Sequence, residues 1–145
     1  MEAEAARLAE VEYFNSYSSN IRYSLFAIIF MSNVLINIDH GSLPGGQEGI
    51  KYKGNMNNWS FGVLGSVVYL GLTLGSAVAS AALSTGSLIK PTIASTLFLN
   101  AACLYGFTTT TSFYTMVLIR GLVGFFQVFV CIYMPVWADT YGTEK

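Results

Sequence analysis

The 145-residue chain is poor in charge, cysteine and histidine, and each shortage excludes a class of function. Charged residues make up 10% of it, whereas a soluble domain has about 25%. The net charge of −1 gives no basic surface, so we expect no nucleic-acid partner. Two cysteines in apolar segments offer neither a disulfide framework nor zinc spacing, and we expect no metal or cofactor. With a single histidine, no nucleophile–base pair and no phosphate-binding loop, an enzyme is not expected.

What the chain has instead is four long apolar segments within residues 21–145, each near the ~20 residues that cross a hydrocarbon core. The predicted spans are 21–40, 61–83, 89–107 and 113–138. We expect a polar, glycine-rich loop at 41–60 that holds at most a shallow amphipathic section. Tight turns at 84–87 and 108–112 should make neighbouring helices antiparallel. The predicted fold is all-α: a polytopic four-helix transmembrane bundle in a lipid bilayer.

The remaining residues, 1–20, are polar. Their four glutamates and lack of an apolar core are unlike a secretory signal, and we expect a short helix in solvent or at the membrane surface. Basic residues give the orientation, four on one side against two on the other: Arg7, Arg22, Lys90 and Lys145 against Lys51 and Lys53. The excess favours both termini in the cytosol-like compartment. Whether the membrane is the plasma membrane or that of an organelle does not follow.

Apart from Arg22 and Lys90 in the first two residues of their segments, Asp39 and Arg120 are the only charges inside the apolar segments. An ionised side chain there costs about 2.5–3.5 kcal/mol on insertion scales. Asp39 lies near the outer end of the first span, and Arg120 lies about 12 Å below the outer end of the fourth. A guanidinium on its long stem can reach across much of that gap. We therefore expect the two to meet, directly or through a substrate anion or water. The pair is either a structural ion pair or a proton- or anion-coupled switch.

Other polar residues are candidates for the same substrate or coupling-ion path: Asn33, Asn37 and His40, with Gln127 and Tyr69 weaker. Asn33 and Asn37, one helical turn apart, could hydrogen-bond a substrate or a neighbouring helix. His40 is a candidate proton relay, since histidine changes charge near neutral pH, or else an interfacial polar residue.

Small residues recur at helical spacing in the second and fourth spans: Gly71, Gly75 and Ala79, then Gly121 and Gly124. Such residues let helix backbones approach closely in a membrane. The pattern indicates either a helix that slides against its partner or static close packing.

Three segments, INIDHGSLPG, FGVLGSVVYLGLTLGS and LIRGLVGF, together resemble the major facilitator superfamily, most closely its spinster-like and related protist members. The resemblance covers residues 21–142. It implies the first four helices of a transporter that normally has twelve, in two halves around a central path. It also implies that the first and fourth helices line this path. Asp39 matches an acid commonly found at the end of the first helix in spinster-like members. Arg120, Gly121 and Gly124 match the arginine and glycine-rich stretch of the family's fourth helix.

The resemblance has two departures. Asp139 matches an acid that braces the turn between helices two and three, but that turn lacks the family's acid and basic residues, leaving Lys90 as the candidate partner. Gln127 stands where spinster-like members tend to carry a carboxylate. The sequence also stops where the turn to a fifth helix would begin. We therefore expect the N-terminal part of a secondary transporter of a small organic solute, completed by its remaining helices. The alternative is a non-transporting structural membrane subunit of a larger complex, derived from such a transporter.

Overall fold

A computed structural model describes Ala9, residues 11–84 and residues 89–141. Within this part of the chain there is no strand, and five helices follow a helical stretch at residues 11–15. We number them α1 to α5: Ser19–Gly45, Gln47–Gly54, Asn58–Ser84, Ile89–Thr109 and Phe113–Tyr141. The prediction of an all-α fold is confirmed for the described residues. The predicted turn at 84–87 lies almost wholly outside them.

Three of these helices are long and apolar enough to cross a membrane, namely α1, α5 and residues 58–83 of α3. This is compatible with a multi-pass membrane protein. Among the described helices, α4 has 21 residues but is not apolar enough to join them, because hydroxyl and amide side chains interrupt its leucines and phenylalanines. The predicted span 89–107 is therefore not confirmed.

α1 extends past the predicted span 21–40, and the predicted loop at 41–60 is wrong for most of its length. α1 continues through Pro44, and α2 follows almost at once. The continuation places the side chain of Leu43 in the core, 8% exposed and packed with Leu64. Burial of that leucine outweighs the weak helix propensity of the neighbouring glycines and proline.

α5 lies at the centre of the bundle. It packs most extensively on α3, then on α4, and least on α1. In its most apolar part 44% of the residues are buried, against 6% for α1. α1 is therefore a peripheral helix whose position depends on a small number of contacts.

Glycines bring the backbones of α3 and α5 into direct contact. A Cβ atom on Gly71 would lie 2.0 Å from the carbonyl oxygen of Gly121, and one on Gly124 would lie 2.1 Å from that of Val68. Neither position has room for a methyl group. The same interface holds Gly75, whose Cβ would lie 2.7 Å from a backbone oxygen of α5, and Ala79, which is fully buried. Contact this close favours static packing over a sliding helix.

Phe14 ties the predicted polar segment 1–20 to the bundle. Its buried ring lies 5.7 Å from the ring of Trp137 and 4.8 Å from that of Tyr141, between centroids. Phe26 completes this aromatic cluster. The start of α1 and the end of α5 therefore meet at one end of the bundle.

Replacing Gly71 by alanine tests the interlock of α3 and α5. We expect Gly71→Ala to destabilise the protein by about 1–3 kcal/mol or more, because the added methyl group overlaps a backbone carbonyl. Unfolding in detergent micelles with increasing dodecyl sulfate measures the loss. The matched control is Gly62→Ala in the same helix, where nothing lies within 4 Å of the new Cβ. Equal stability of the two variants would refute the close contact.

Candidate functional site

The two charges within the apolar segments meet between α1 and α5. Nη1 of Arg120 donates a hydrogen bond to Oδ2 of Asp39 at 2.5 Å. The arginine side chain is 2% exposed and the aspartate 14%. The guanidinium also lies over the ring of Phe107, 5.1 Å from its centroid, where the ring's π-electrons attract a cation. The arrangement neutralises a charge that would be costly to bury alone.

A second polar contact joins the same two helices two turns further along α5. Nε2 of Gln127 donates to the carbonyl oxygen of Ile36 at 3.2 Å and lies 3.0 Å from Nε2 of His40. Because an amide nitrogen can only donate, this orientation makes Nε2 of His40 the acceptor and places the ring proton on Nδ1. The contact therefore joins α1 to α5 through one side chain and one backbone carbonyl of α1.

Two buried polar atoms of this cluster are unpartnered. Within the described part of the chain, no hydrogen-bond partner exists for Nε of Arg120 or for Oε1 of Gln127. Both side chains are at least 98% buried. A buried donor or acceptor without a partner costs about 1–3 kcal/mol. The cluster thus holds one donor and one acceptor that no described group satisfies.

The other candidate residues differ in whether they contact α5 or this cluster. The ring of Tyr69, on α3, is stacked with that of His40 at 6.0 Å between centroids. Nδ2 of Asn33 donates to the sulfur of Met134 at 3.0 Å, which ties α1 to α5 at a third depth. Asn37 is exposed and donates to Asn33 of its own helix. The structure therefore brings Asn33 to α5 but leaves Asn37 on the outer face of α1.

The predicted gate brace lies at the opposite end of the bundle. Lys90 is exposed at the start of α4 and Asp139 is exposed near the end of α5. Lys90 lines a cleft together with Trp137 and Tyr141, which flank Asp139 along the helix. An ion pair between Lys90 and Asp139 stays a prediction.

Two features of the site could not be found in the sequence. Phe107 is one of ten phenylalanines, and nothing in its neighbourhood marks it as the ring beneath Arg120. The carbonyl of Ile36 is a backbone group that any residue carries. Among the described residues, no group of three or more His, Cys, Asp or Glu side chains comes together to hold a metal ion. The chemistry available is hydrogen bonding, charge and proton exchange.

Comparisons of the chain with protein-family models, with curated proteins and with solved structures returned no match. The resemblance to the major facilitator superfamily therefore stays a prediction that rests on the quoted segments.

Removing one member of the ion pair tests its energetic weight. We expect Asp39→Leu to destabilise the protein by about 3–5 kcal/mol, because it leaves a buried guanidinium without a counter-ion. The double variant Asp39→Leu/Arg120→Leu should recover most of this loss, since no buried charge remains. Dodecyl sulfate titration in micelles measures both.

The matched control is Glu48→Leu, which removes an exposed acid from the neighbouring helix α2. It should change stability by no more than about 0.5 kcal/mol. A loss in Asp39→Leu as small as in this control would contradict the buried pair.

Proposed function

We propose that the chain forms the N-terminal, path-lining part of a transmembrane secondary transporter for a small organic solute, related to the major facilitator superfamily. The observation that carries the proposal is the buried polar cluster between α1 and α5, with its ion pair and two orphaned atoms. Ionisable groups deep in a membrane protein most often mark a substrate or proton pathway. The resemblance to the superfamily independently implies a path between these helices.

The orphaned atoms suggest how a solute would be held. Nε of Arg120 would donate to an acceptor on the solute, and Oε1 of Gln127 would accept from a donor. The two residues are about 10 Å apart along the helix axis. A solute that spans them therefore carries an acidic or carbonyl group at one end and a hydroxyl or amine at the other.

Proton coupling follows from the same contacts. Protonation of Asp39 would remove the charge that neutralises Arg120, and the guanidinium would then attract an anionic group of the solute. Protonation of His40 at Nε2 would replace an acceptor by a donor facing the Gln127 amide, which would have to rotate and release the Ile36 carbonyl. Either event weakens the contact of α1 with α5, and so favours a second arrangement of the two helices.

The proposal includes α4 as a fourth membrane span. Two of the polar side chains that lower its hydropathy, Thr96 and Asn100, are buried against the bundle and away from lipid. At 21 residues, α4 is about 31 Å long, which matches the hydrocarbon core. With four spans and the basic residues counted above, both termini lie on the cytosol-like side of the membrane.

The second candidate function is a structural membrane subunit derived from such a transporter. The interlocked backbones of α3 and α5 favour it, because they make a rigid unit that needs no second conformation. On this alternative, the ion pair only fixes the position of α1. Transport separates the two candidates, since a structural subunit moves no solute.

Exchanging the two charges distinguishes them directly. We expect the double variant Asp39→Arg/Arg120→Asp to keep its fold, because opposite charges still meet, but to lose transport, because the orphaned guanidinium donor is displaced. Folding is measured by dodecyl sulfate titration. Transport is measured in proteoliposomes that hold the chain together with its remaining helices and an entrapped pH dye, on a panel of carboxylates, amino acids, sugars and amines.

The matched control is Lys53→Gln, which removes an exposed charge from α2. It should transport the same solute as the unmodified chain. Full activity of the charge-exchanged variant would contradict the coupling role. Absence of uptake across the whole panel by the chain together with its remaining helices would favour the structural subunit.

A further inference from the structure

A second site lies at the end of the bundle away from the ion pair. The N-terminal segment, α1, α4 and α5 enclose a cleft of about 490 Å³ there, within the range of about 300–1,000 Å³ usual for ligand pockets. Its walls include Phe14, Tyr17, Leu25, Ile29, Lys90 and Trp137. Trp137 is seventeen residues beyond Arg120 on α5, about 25 Å along the helix. The cleft is therefore separate from the polar cluster and lies toward the opposite leaflet.

The cleft has a single charge. Lys90 is the only charged residue among the described residues that line it. Asp139 is exposed on the same end of α5 but does not line the cleft. An occupant with one negative group would thus be complementary to the ammonium group.

The cleft is also graded from polar to apolar along the bundle axis. Nearest the end of the bundle, the cleft is lined by the phenols of Tyr13 and Tyr17, which come before α1. Deeper in the bundle it is lined by Leu25 and Ile29, which lie two to three turns inside that helix. Tyr17 donates a hydrogen bond to Tyr13 at 2.9 Å, and this bond raises the pKa of Tyr17. Tyr17 thereby uses its single O–H, so the hydroxyl of Tyr13 is the donor of this pair that remains for an anion. A molecule with a polar head and an apolar tail fits this gradient, with its head near the end of the bundle and its tail toward the bundle's interior.

We propose that the cleft binds one anionic phospholipid, with its phosphate at Lys90 and the start of an acyl chain along Leu25 and Ile29. Basic pockets between helices on the cytoplasmic face of membrane proteins suit such headgroups. Tryptophan and tyrosine, which wall the outer part of the cleft, prefer the same interfacial depth. The lipid would link the N-terminal segment to α4 and α5, and so hold Phe14 in its aromatic cluster.

Lipid retention by the purified full chain tests the proposal. Native mass spectrometry in detergent measures the binding of phosphatidylglycerol and of phosphatidylcholine with identical acyl chains. We expect one phosphatidylglycerol to bind at least about tenfold more tightly than phosphatidylcholine, and Lys90→Gln to abolish that preference. The matched control Lys53→Gln removes a lysine from the other end of the bundle and should keep it. Lys90→Arg should also keep it.

Two further arms separate a phospholipid from a free anion. Inorganic phosphate and glycerol phosphate should fail to displace the bound phosphatidylglycerol at concentrations that saturate the lipid. Ile29→Asn, which makes the apolar wall polar, should weaken the binding of phosphatidylglycerol without strengthening that of phosphatidylcholine. The proposal is overturned if both phospholipids bind equally, if Lys90→Gln keeps the preference, or if inorganic phosphate displaces the lipid.

Discussion

The position of α1 depends on the contact between Asp39 and Arg120. In the most apolar part of α1 only 6% of the residues are buried, so its apolar packing is limited to a few side chains such as Ile36 and Leu43. Three polar contacts attach it to α5 at successive depths: Asn33 to Met134, the Ile36 carbonyl to Gln127, and Asp39 to Arg120. Only the last neutralises a buried charge, and in a medium of low dielectric constant it is the strongest of the three.

On its other side, α5 contacts α3 in a different way. There α3 meets α5 through glycines, with backbone against backbone at Gly71 and Gly124 and the side chains of Val67 and Val128 beside them. Such an interface has one arrangement, because a shift of either helix would bring side chains into the space that the glycine hydrogen atoms occupy. The bundle thus combines a fixed α3–α5 unit with a helix held by polar groups that can exchange partners. In the proposed transporter, α1 is the element that changes position.

Parts of this arrangement follow from the sequence alone. The meeting of Asp39 and Arg120 was predictable because two opposite charges in apolar segments have few other ways to be neutralised. The close-packing faces of α3 and α5 were predictable from small residues at helical spacing, whereas the meeting of these two faces was not. The helix through Pro44 was not, because it depends on the burial of Leu43 against another helix. The contact of Gln127 with His40 depends likewise on the rotation of α1 about its axis, which no local pattern encodes. In α4, the proposed fourth span, the buried polar side chains of Thr96 and Asn100 lower the hydropathy as much as polar side chains facing lipid would.

The central claim is that Arg120 and Asp39 are in direct contact within the bilayer. Solid-state nuclear magnetic resonance on the full chain in phospholipid bilayers, with ¹⁵N-arginine and ¹³C-aspartate, measures the distance between guanidinium nitrogen and carboxyl carbon. The chain has only two aspartates, so Asp39→Asn and Asp139→Asn assign the signal. The account predicts a separation within about 4 Å, the limit of an ion pair, that disappears in Asp39→Asn and persists in Asp139→Asn. No dipolar coupling in the unmodified chain, or a coupling unaffected by Asp39→Asn, would contradict it.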